Sequence, residues 1–510
     1  MHFDHSPRTD VARHRRQYVG HRSVIVVVPK SAHGPGRGSG HGSYGEAYRA
    51  FRPLLTRWGR LQEILHPESQ LDFAVLQARQ RSGNPISLCL APFSAFYPTR
   101  LAPNVAYLNW EYPEIPHDYL CYSPRPNWVG MAAKLTTILV DNRFTAEALR
   151  RSGITSLVEI VPVPVSRTYF SVDAWNPERI TTLECHAYLF PPCAQAGADL
   201  WSEGAAELAS PRNLRSRLKA VYKKWVKPVL PKPMHNRLLA MVGGSPAQPC
   251  KVVEGVQSYL ACARSTELSL SQVVYTAVLN PTDPDENWRD ILSAYMYALR
   301  DRADAILVMV LNIPPSRRAE VLNRIYGYYL RQSRGPACKM AFVVGPLNIR
   351  QKRLLALGTT YFVSAARAKG ICLRLTEFLA AGRPAIAPCH TGFIDCFGPD
   401  AGLVVDSHPE PSRIPGDPER RLVTTRHRIV WQSLCEHFRH SYELATHQSP
   451  DYQIMASRAR RRARDRASVE AVWPRLAEAL EAVRETTGQE KEEPPDQTAS
   501  LCQGVGEHGS

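Results

Sequence analysis

The sequence predicts an α/β protein made of two doubly wound parallel-sheet domains, and three observations carry that expectation. Short apolar runs of strand length alternate with helix-like segments over residues 23–168 and again over 269–415, which is the rhythm of βαβ units. The runs are continuous in polarity rather than alternating, as in Val24–Val28 and Ala305–Asn312, and this fits strands buried on both faces. Between them, residues 169–268 keep no such rhythm and divide the chain as a basic, Pro-rich insertion or linker.

Taken in order, residues 1–22 are polar, rich in His and Arg, and expected to be disordered. Val24–Val28 is the first buried strand, followed by SAHGPGRGSGHGSYGEAYRAF. A glycine loop there (Gly38, Gly40 and Gly42 at its centre) lets backbone amides approach a ligand closely, although a merely flexible loop has the same composition. Leu61–Leu65, Ile86–Ala91, Val105–Trp110, Thr137–Val140 and Val158–Val161 complete the first set of strands. Asn109 and Glu111 follow a strand end, where open α/β sheets bind ligands. In the second set, Gln272–Leu279, Ala305–Asn312, Met340–Val344, Tyr361–Val363, Ala385–Ala387 and Leu403–Val405 read as strands. Trp288–Arg300, Arg317–Gln332 and Gln351–Leu357 read as the helices between them. Residues 416–485 read as helical, with breaks near Ser449-Pro450 and Trp473-Pro474, and 486–510 as a disordered acidic tail.

The stretch SAARAKGICLRLTEFLAAGRPAIAP (Ser364–Pro388) joins a strand to a helix expected from Gly370 to Ala381, with Gly382 at its C-cap and Pro384 blocking its continuation. Such a unit aims a helix N-terminus at whatever binds above the sheet, and Glu377 is expected about two turns in, facing the cleft. This stretch resembles the Glu-x7-Glu motif of the retaining GT-B glycosyltransferases of family four, through Gly370, Leu373, Glu377, Ala380, Gly382, Pro384 and Ile386. VLNPTDPDENWRDILSAYMYALRD is similar to a second motif of that family, HTGFID (His390–Asp395) to a third, and DNRFTAEALRRSG to a helix start in its first domain.

The resemblance implies two Rossmann-like domains facing a central cleft, the first binding the acceptor and the second the donor. The implied reaction moves a hexosyl group from a nucleotide-sugar to a hydroxyl of a sugar or glycolipid acceptor, with retention, in bacterial-type surface polysaccharide or glycoconjugate synthesis. It implies no metal and no cofactor beyond the nucleotide-sugar co-substrate. Carried over by position, Glu377, Lys369 and His390 are the catalytic candidates, and Gly370, Ile371, Thr391, Gly392, Arg289 and Arg367 the donor-binding ones. Three charges depart from the family pattern. Lys369 stands in place of the first Glu, and Asp285 and Glu286 stand where a basic pair holds the donor diphosphate. A carboxylate about 4 Å from a phosphate is repelled by roughly 1–4 kcal/mol, so Arg289, Arg367, Lys369 or Arg374 must supply substitute charge, the donor must differ, or catalysis is lost and a binding or scaffold role remains.

The 510 residues suit two or three domains, and an apolar fraction of 44% supports sizeable cores. A net charge of +16 favours an anionic partner. The chain shows no zinc finger or RNA-binding signature, so nucleic acid is not expected. The twelve cysteines form no CxxC pair, which suits free thiols in a reducing compartment. No signal peptide or membrane span is legible, giving a cytoplasmic expectation. Within the basic, acid-free segment Pro211–Lys251, Leu214, Leu218, Val221 and Trp225 fall on one helix face among Arg and Lys residues. That pattern suits either an anionic membrane surface, peripheral on its inner face, or a helix packed on the protein with a solvated basic side.

Overall fold

The computed structural model describes residues 22–27, 41–116, 127–190, 263–332, 338–414 and 423–489. Five consecutive buried residues form β1 (Ser23–Val27), and a strand sends successive side chains to opposite faces. Val24 and Val26 therefore enter one core while Ile25 and Val27 enter another. There follow α1 (His41–Trp58), β2 (Arg60–Ile64), α2 (Pro67–Ser82), β3 (Pro85–Leu90), β4 (Asn104–Leu108), α3 (Trp128–Ala132), β5 (Thr137–Val140), α4 (Arg143–Arg151) and β6 (Leu157–Ile160). The strands are all parallel, in the order β2-β1-β3-β4-β5-β6.

A short helix, α5 (Arg167–Phe170), leads to β7 (Thr181–Phe190) and later β8 (Arg264–Leu270). The second domain continues with β9 (Val273–Leu279), α6 (Trp288–Ala298), β10 (Ala305–Leu311), α7 (Arg318–Gln332), β11 (Lys339–Val344), α8 (Ile349–Gly358), β12 (Tyr361–Val363), α9 (Leu373–Ala380), β13 (Ala385–Pro388), α10 (Phe393–Cys396) and β14 (Gly402–Val405). Its sheet has the order β14-β13-β12-β9-β10-β11-β7-β8. Leu307, Met309 and Leu311 of β10 pack on one face, and Ile306, Val308 and Val310 on the other. The two doubly wound domains face a common cleft.

Several expectations are corrected. Residues 169–268 are not wholly insertion or linker: β7 pairs antiparallel with β11, and β8 antiparallel with β7, extending the second sheet. Residues 416–485 are not helical from their start. An antiparallel hairpin of β15 (Ser407–Arg413) and β16 (Val423–Ile429) precedes α11 (Trp431–Thr446), α12 (Pro450–Ala467) and α13 (Val469–Gln489). Pro474 lies inside α13 rather than ending a helix, the break falling at Ser468 instead, and α13 reaches into the stretch expected as tail.

The last helix closes the first domain. Val472, Leu476, Leu480 and Val483 of α13 pack with Tyr44, Phe51 and Leu55 of α1 over Val24 and Val26. By contrast, Ala459, Ala463 and Ala467 of α12 pack into the second domain's core. Arg466 of α12 bonds Asp141 at the end of β5, Nη2–Oδ2 2.7 Å, so the crossing helices are also pinned electrostatically. Glycine loop positions Gly38 and Gly40, the segment Pro211–Lys251 and most of both termini lie outside the described residues.

Candidate active site

Four loops at the C-terminal ends of strands meet between the domains: those after β4, β9, β12 and β13. The tightest approach is at Gly370. A Cβ there would lie 2.0 Å from Asn109 Oδ1 and 2.9 Å from the Trp110 carbonyl oxygen, so only glycine permits the contact. The Gly370 carbonyl accepts a bond from Asn142 Nδ2 at 2.7 Å. Asn142 also caps α4, its Oδ1 accepting from the Thr145 amide at 3.0 Å. Gly392 stacks on the same loop: its own Cβ would sit 2.1 Å from the Gly370 carbonyl, and its amide donates to the Lys369 carbonyl at 2.7 Å. Thr391, in the left-handed region at φ 48°, accepts from the Lys369 amide through Oγ1 at 3.1 Å. Lys369, Gly370, His390, Thr391 and Gly392 thus form one interlocked platform against the first domain.

That locking explains where α9 begins. The helix starts at Leu373 rather than Gly370, whose carbonyl is taken by Asn142 and whose Cα lies close against Asn109 and Trp110. Its end matches expectation: the amides of Gly382 (φ 70°) and Arg383 bond the carbonyls of Leu379 and Phe378 at 2.8 and 2.9 Å, a Schellman closure. Glu377 is therefore the fifth residue of α9 and is buried. It does not open onto the cleft as a free carboxylate, because Oε2 accepts from Arg374 Nη1 at 2.6 Å. Arg374 also pairs with Glu46 of α1, tying the helix to the first domain.

The three departing charges sit together. Lys369 Nζ lies 2.5 Å from Glu286 Oε1, so two of the reversals compensate each other as an ion pair of opposite polarity. Asp285 accepts from Tyr112 of the first domain at 2.7 Å through Oδ2, and from Arg426 Nη1 at 3.2 Å through Oδ1. Arg426 Nε in turn donates to Glu410 at 2.9 Å. Arg367 reaches Glu410 at 4.0 Å and donates to Asn287 Oδ1 at 3.5 Å. Burial pulls the Lys369 ammonium down, but Glu286 and then Asp283 outweigh it and hold the group above its ordinary range. Across the cleft, half-buried Glu111 is pushed up to about 8, first by burial and then by Asp283, with Lys369 opposing. Asp283 is itself raised to about 6 by burial and Glu286.

The remaining candidates divide. His390 is only 4% exposed and stacks on His427 of β16, with ring centroids 4.0 Å apart at 10°. Burial and then His427 push its imidazole down to about 3. It is a buried neutral ring, ill suited to ionise during catalysis. Ile371 packs its side chain into the first domain's core, and Arg289 is exposed over the rings of Trp288 and Tyr328 rather than in the cluster. Gly42 belongs to α1, not to a loop. Asn109 is fixed by Ser43 Oγ, which accepts from its Nδ2 at 3.0 Å. Sequence reasoning missed Tyr112, Arg426, Glu410 and His427. Three of these lie on the polar hairpin, which carries no hydrophobic signal pointing to the cleft. Among the described residues, no group of three or more His, Cys, Asp or Glu is placed to hold a metal ion.

No protein-family model and no curated protein matches this chain. Among solved structures it is similar to sucrose-phosphate synthase from Thermosynechococcus elongatus, at 10% identity and a TM-score of 0.49 over 91% of this chain and 100% of that one. A glycosyltransferase from Rickettsia africae ESF-5 gives 11% identity and 0.49 over 91% and 98%. The trehalose 6-phosphate synthase of Burkholderia multivorans gives 10% and 0.46 over 93% and 99%.

Proposed function

We propose that the protein is a glycosyltransferase, moving a sugar from a nucleotide-sugar donor to a hydroxyl of a sugar or glycolipid acceptor with retention at the anomeric carbon. The observation that carries this reading is the junction itself. The Glu377 helix, the Lys369–Gly370 turn and the His390–Gly392 loop of one Rossmann-like domain abut the Asn109–Glu111 strand end of the other. Reactants held between two such rims are positioned by both domains, and fixed charge can act on a leaving diphosphate out of bulk water. In this chain Lys369, Arg426 and Arg367 are the cations nearest that task, in place of the usual pair at 285–286. Glu286, Asp285 and Glu111 then face sugar hydroxyls as hydrogen-bond acceptors. The co-substrate supplies the leaving group, with no metal required.

A second reading, a GT-B binding or scaffold protein without catalysis, is favoured by one specific observation. Lys369, Arg374 and Arg426 each already hold a carboxylate. A panel of nucleotide-sugars tested for binding and turnover decides between the two. For the enzyme, Glu377→Gln lowers turnover substantially, because removing charge from a fixed acceptor weakens its charge-assisted bonds. For the scaffold, the triple change Lys369→Glu, Asp285→Arg and Glu286→Lys raises nucleotide affinity instead. Absence of binding to any nucleotide or sugar phosphate, with Glu377→Gln silent, refutes the transferase reading.

We also propose a cytoplasmic site of action, peripheral on an anionic membrane face through Pro211–Lys251, in surface polysaccharide or glycoconjugate synthesis. Binding to anionic vesicles that is released by salt supports this attachment, and salt-insensitive or absent binding refutes it. No helix among the described residues is long and apolar enough to cross a membrane.

A further inference from the structure

Beside the central cleft lies a cavity of about 920 Å³, bounded by α4 and β6 of the first domain and by α10, α12 and α13. Its volume suits a small ligand. Every basic residue lining it is arginine. Three of these are already committed: Arg143 to Asp395 at 2.7 Å, Arg462 to Asp400 at 2.9 Å, and Arg466 to Asp141 at 2.7 Å. The other four, Arg150, Arg458, Arg461 and Arg475, hold no ion pair among the described residues. Carboxylates are near in sequence, since Asp465 lies one helical turn after Arg461 and Glu478 three residues after Arg475, and Glu159 lines the same space. Helical neighbours at these spacings commonly pair, yet none closes to ion-pair distance here. Arg462 Nε is also buried without a hydrogen-bond partner.

We propose that this cavity binds a multiply charged phosphate ligand, a polyphosphate or a phosphate ester carrying at least two anionic groups. Four unpaired guanidiniums repel one another across a shared space, and a polyanion relieves that repulsion. The planar fork of arginine matches phosphate oxygens two at a time, which accounts for the exclusive use of arginine over lysine. Of the five lining carboxylates, Glu159, Asp465 and Glu478 hold no ion pair among the described residues and oppose a single negative charge, so the ligand needs more than one. Because Arg150 is on the first domain, Arg458 and Arg461 on the helix packed against the second, and Arg475 on the helix packed against the first, a bound polyanion bridges the domains. The Arg143–Asp395 and Arg466–Asp141 pairs already join them at the cavity's edge. Occupancy therefore favours the arrangement of the two domains that these pairs hold.

The test is calorimetric titration of the full chain with inorganic pyrophosphate, with citrate as a carboxylate control, alongside thermal unfolding. Pyrophosphate is expected to bind, to raise the unfolding temperature and to weaken with salt. Arg458→Gln with Arg461→Gln, and separately Arg150→Gln with Arg475→Gln, are each expected to weaken binding by about tenfold or more, from the loss of charge-assisted bonds. All four side chains are exposed, so circular dichroism should show both variants folded. Lys369→Gln with Arg426→Gln, in the central cleft, should remove at most a separate pyrophosphate-binding event at the donor site and leave the stoichiometry and affinity of the cavity's own event unchanged. That arm separates this site from the proposed donor site, whose failure would leave the cavity result standing. No binding by the wild type at millimolar pyrophosphate overturns the proposal. So does equal binding of citrate, or loss of binding only in the central-cleft variant.

Discussion

Lys369→Gln tests the electrostatic logic of the cleft most directly. Among the described residues the ammonium is the single cation paired to Glu286, at 2.5 Å, and it also faces Asp283 and Glu111. Removing it leaves those three carboxylates, with Asp285 beside them, to repel one another in a partly dry space. Breaking a buried ion pair by deleting one partner costs about 3–5 kcal/mol. The Lys369 and Glu286 side chains are 31% and 15% exposed, so solvent screens part of this and about 2–3 kcal/mol is expected. The loss should depend on pH. Glu111 and Asp283 have folded pKa values raised to about 8 and about 6. A carboxyl raised in the fold contributes stability fully present below its unfolded pKa and lost as pH rises through the folded value. Without Lys369, which opposes the shift at Glu111, that dependence steepens. Urea unfolding of wild type and variant at about pH 8 and about pH 5 should show the larger deficit at the higher pH. A deficit below about 0.5 kcal/mol and equal at both pH values would mean an ordinary surface pair, and the reasoning would fail.

Two further outcomes follow from the platform. Gly370→Ala places a methyl 2.0 Å from Asn109 Oδ1; it should cost about 2 kcal/mol or more through overpacking and open the domains, seen as a larger radius of gyration in solution scattering, whereas an unchanged radius and stability would refute the close approach. His427→Ala removes the ring stacked on His390, so the His390 imidazole should titrate higher by nuclear magnetic resonance yet still below its ordinary 6.5, because burial is the larger cause; an unmoved titration would deny the stack.

How much of this was legible followed from where apolar residues had to go. β1, β10 and β12 are buried on both faces, so their continuous runs announced them to within a residue or two. The hairpin was not readable for the opposite reason. Ser407–Arg413 is SHPEPSR, with prolines at 409 and 411 and mostly exposed or half-exposed side chains, and proline argues against a strand unless that strand lies at an edge. The alternation in VTTRHRI of β16 was the available clue. Lys369 and Glu286 were each noticed as reversals of charge, yet pairing between residues 83 apart is a product of topology that no local pattern encodes. Arg426 entered the cleft by the same route.

The path of α13 has a consequence for how the molecule is made. All six strands of the first sheet are encoded before residue 161, but one face of that sheet is sealed by Val472–Val483, after the whole second domain. During synthesis, then, Val24, Val26, Leu88 and Tyr107 wait with part of their cover missing while the second domain emerges and folds on its own core. An interrupted chain ending after α12 would carry a finished second domain and an unsealed first one. The region most at risk of aggregation on the ribosome is thus the part synthesised earliest, and a chaperone that holds apolar sheet surface should be found on the first domain until α13 arrives.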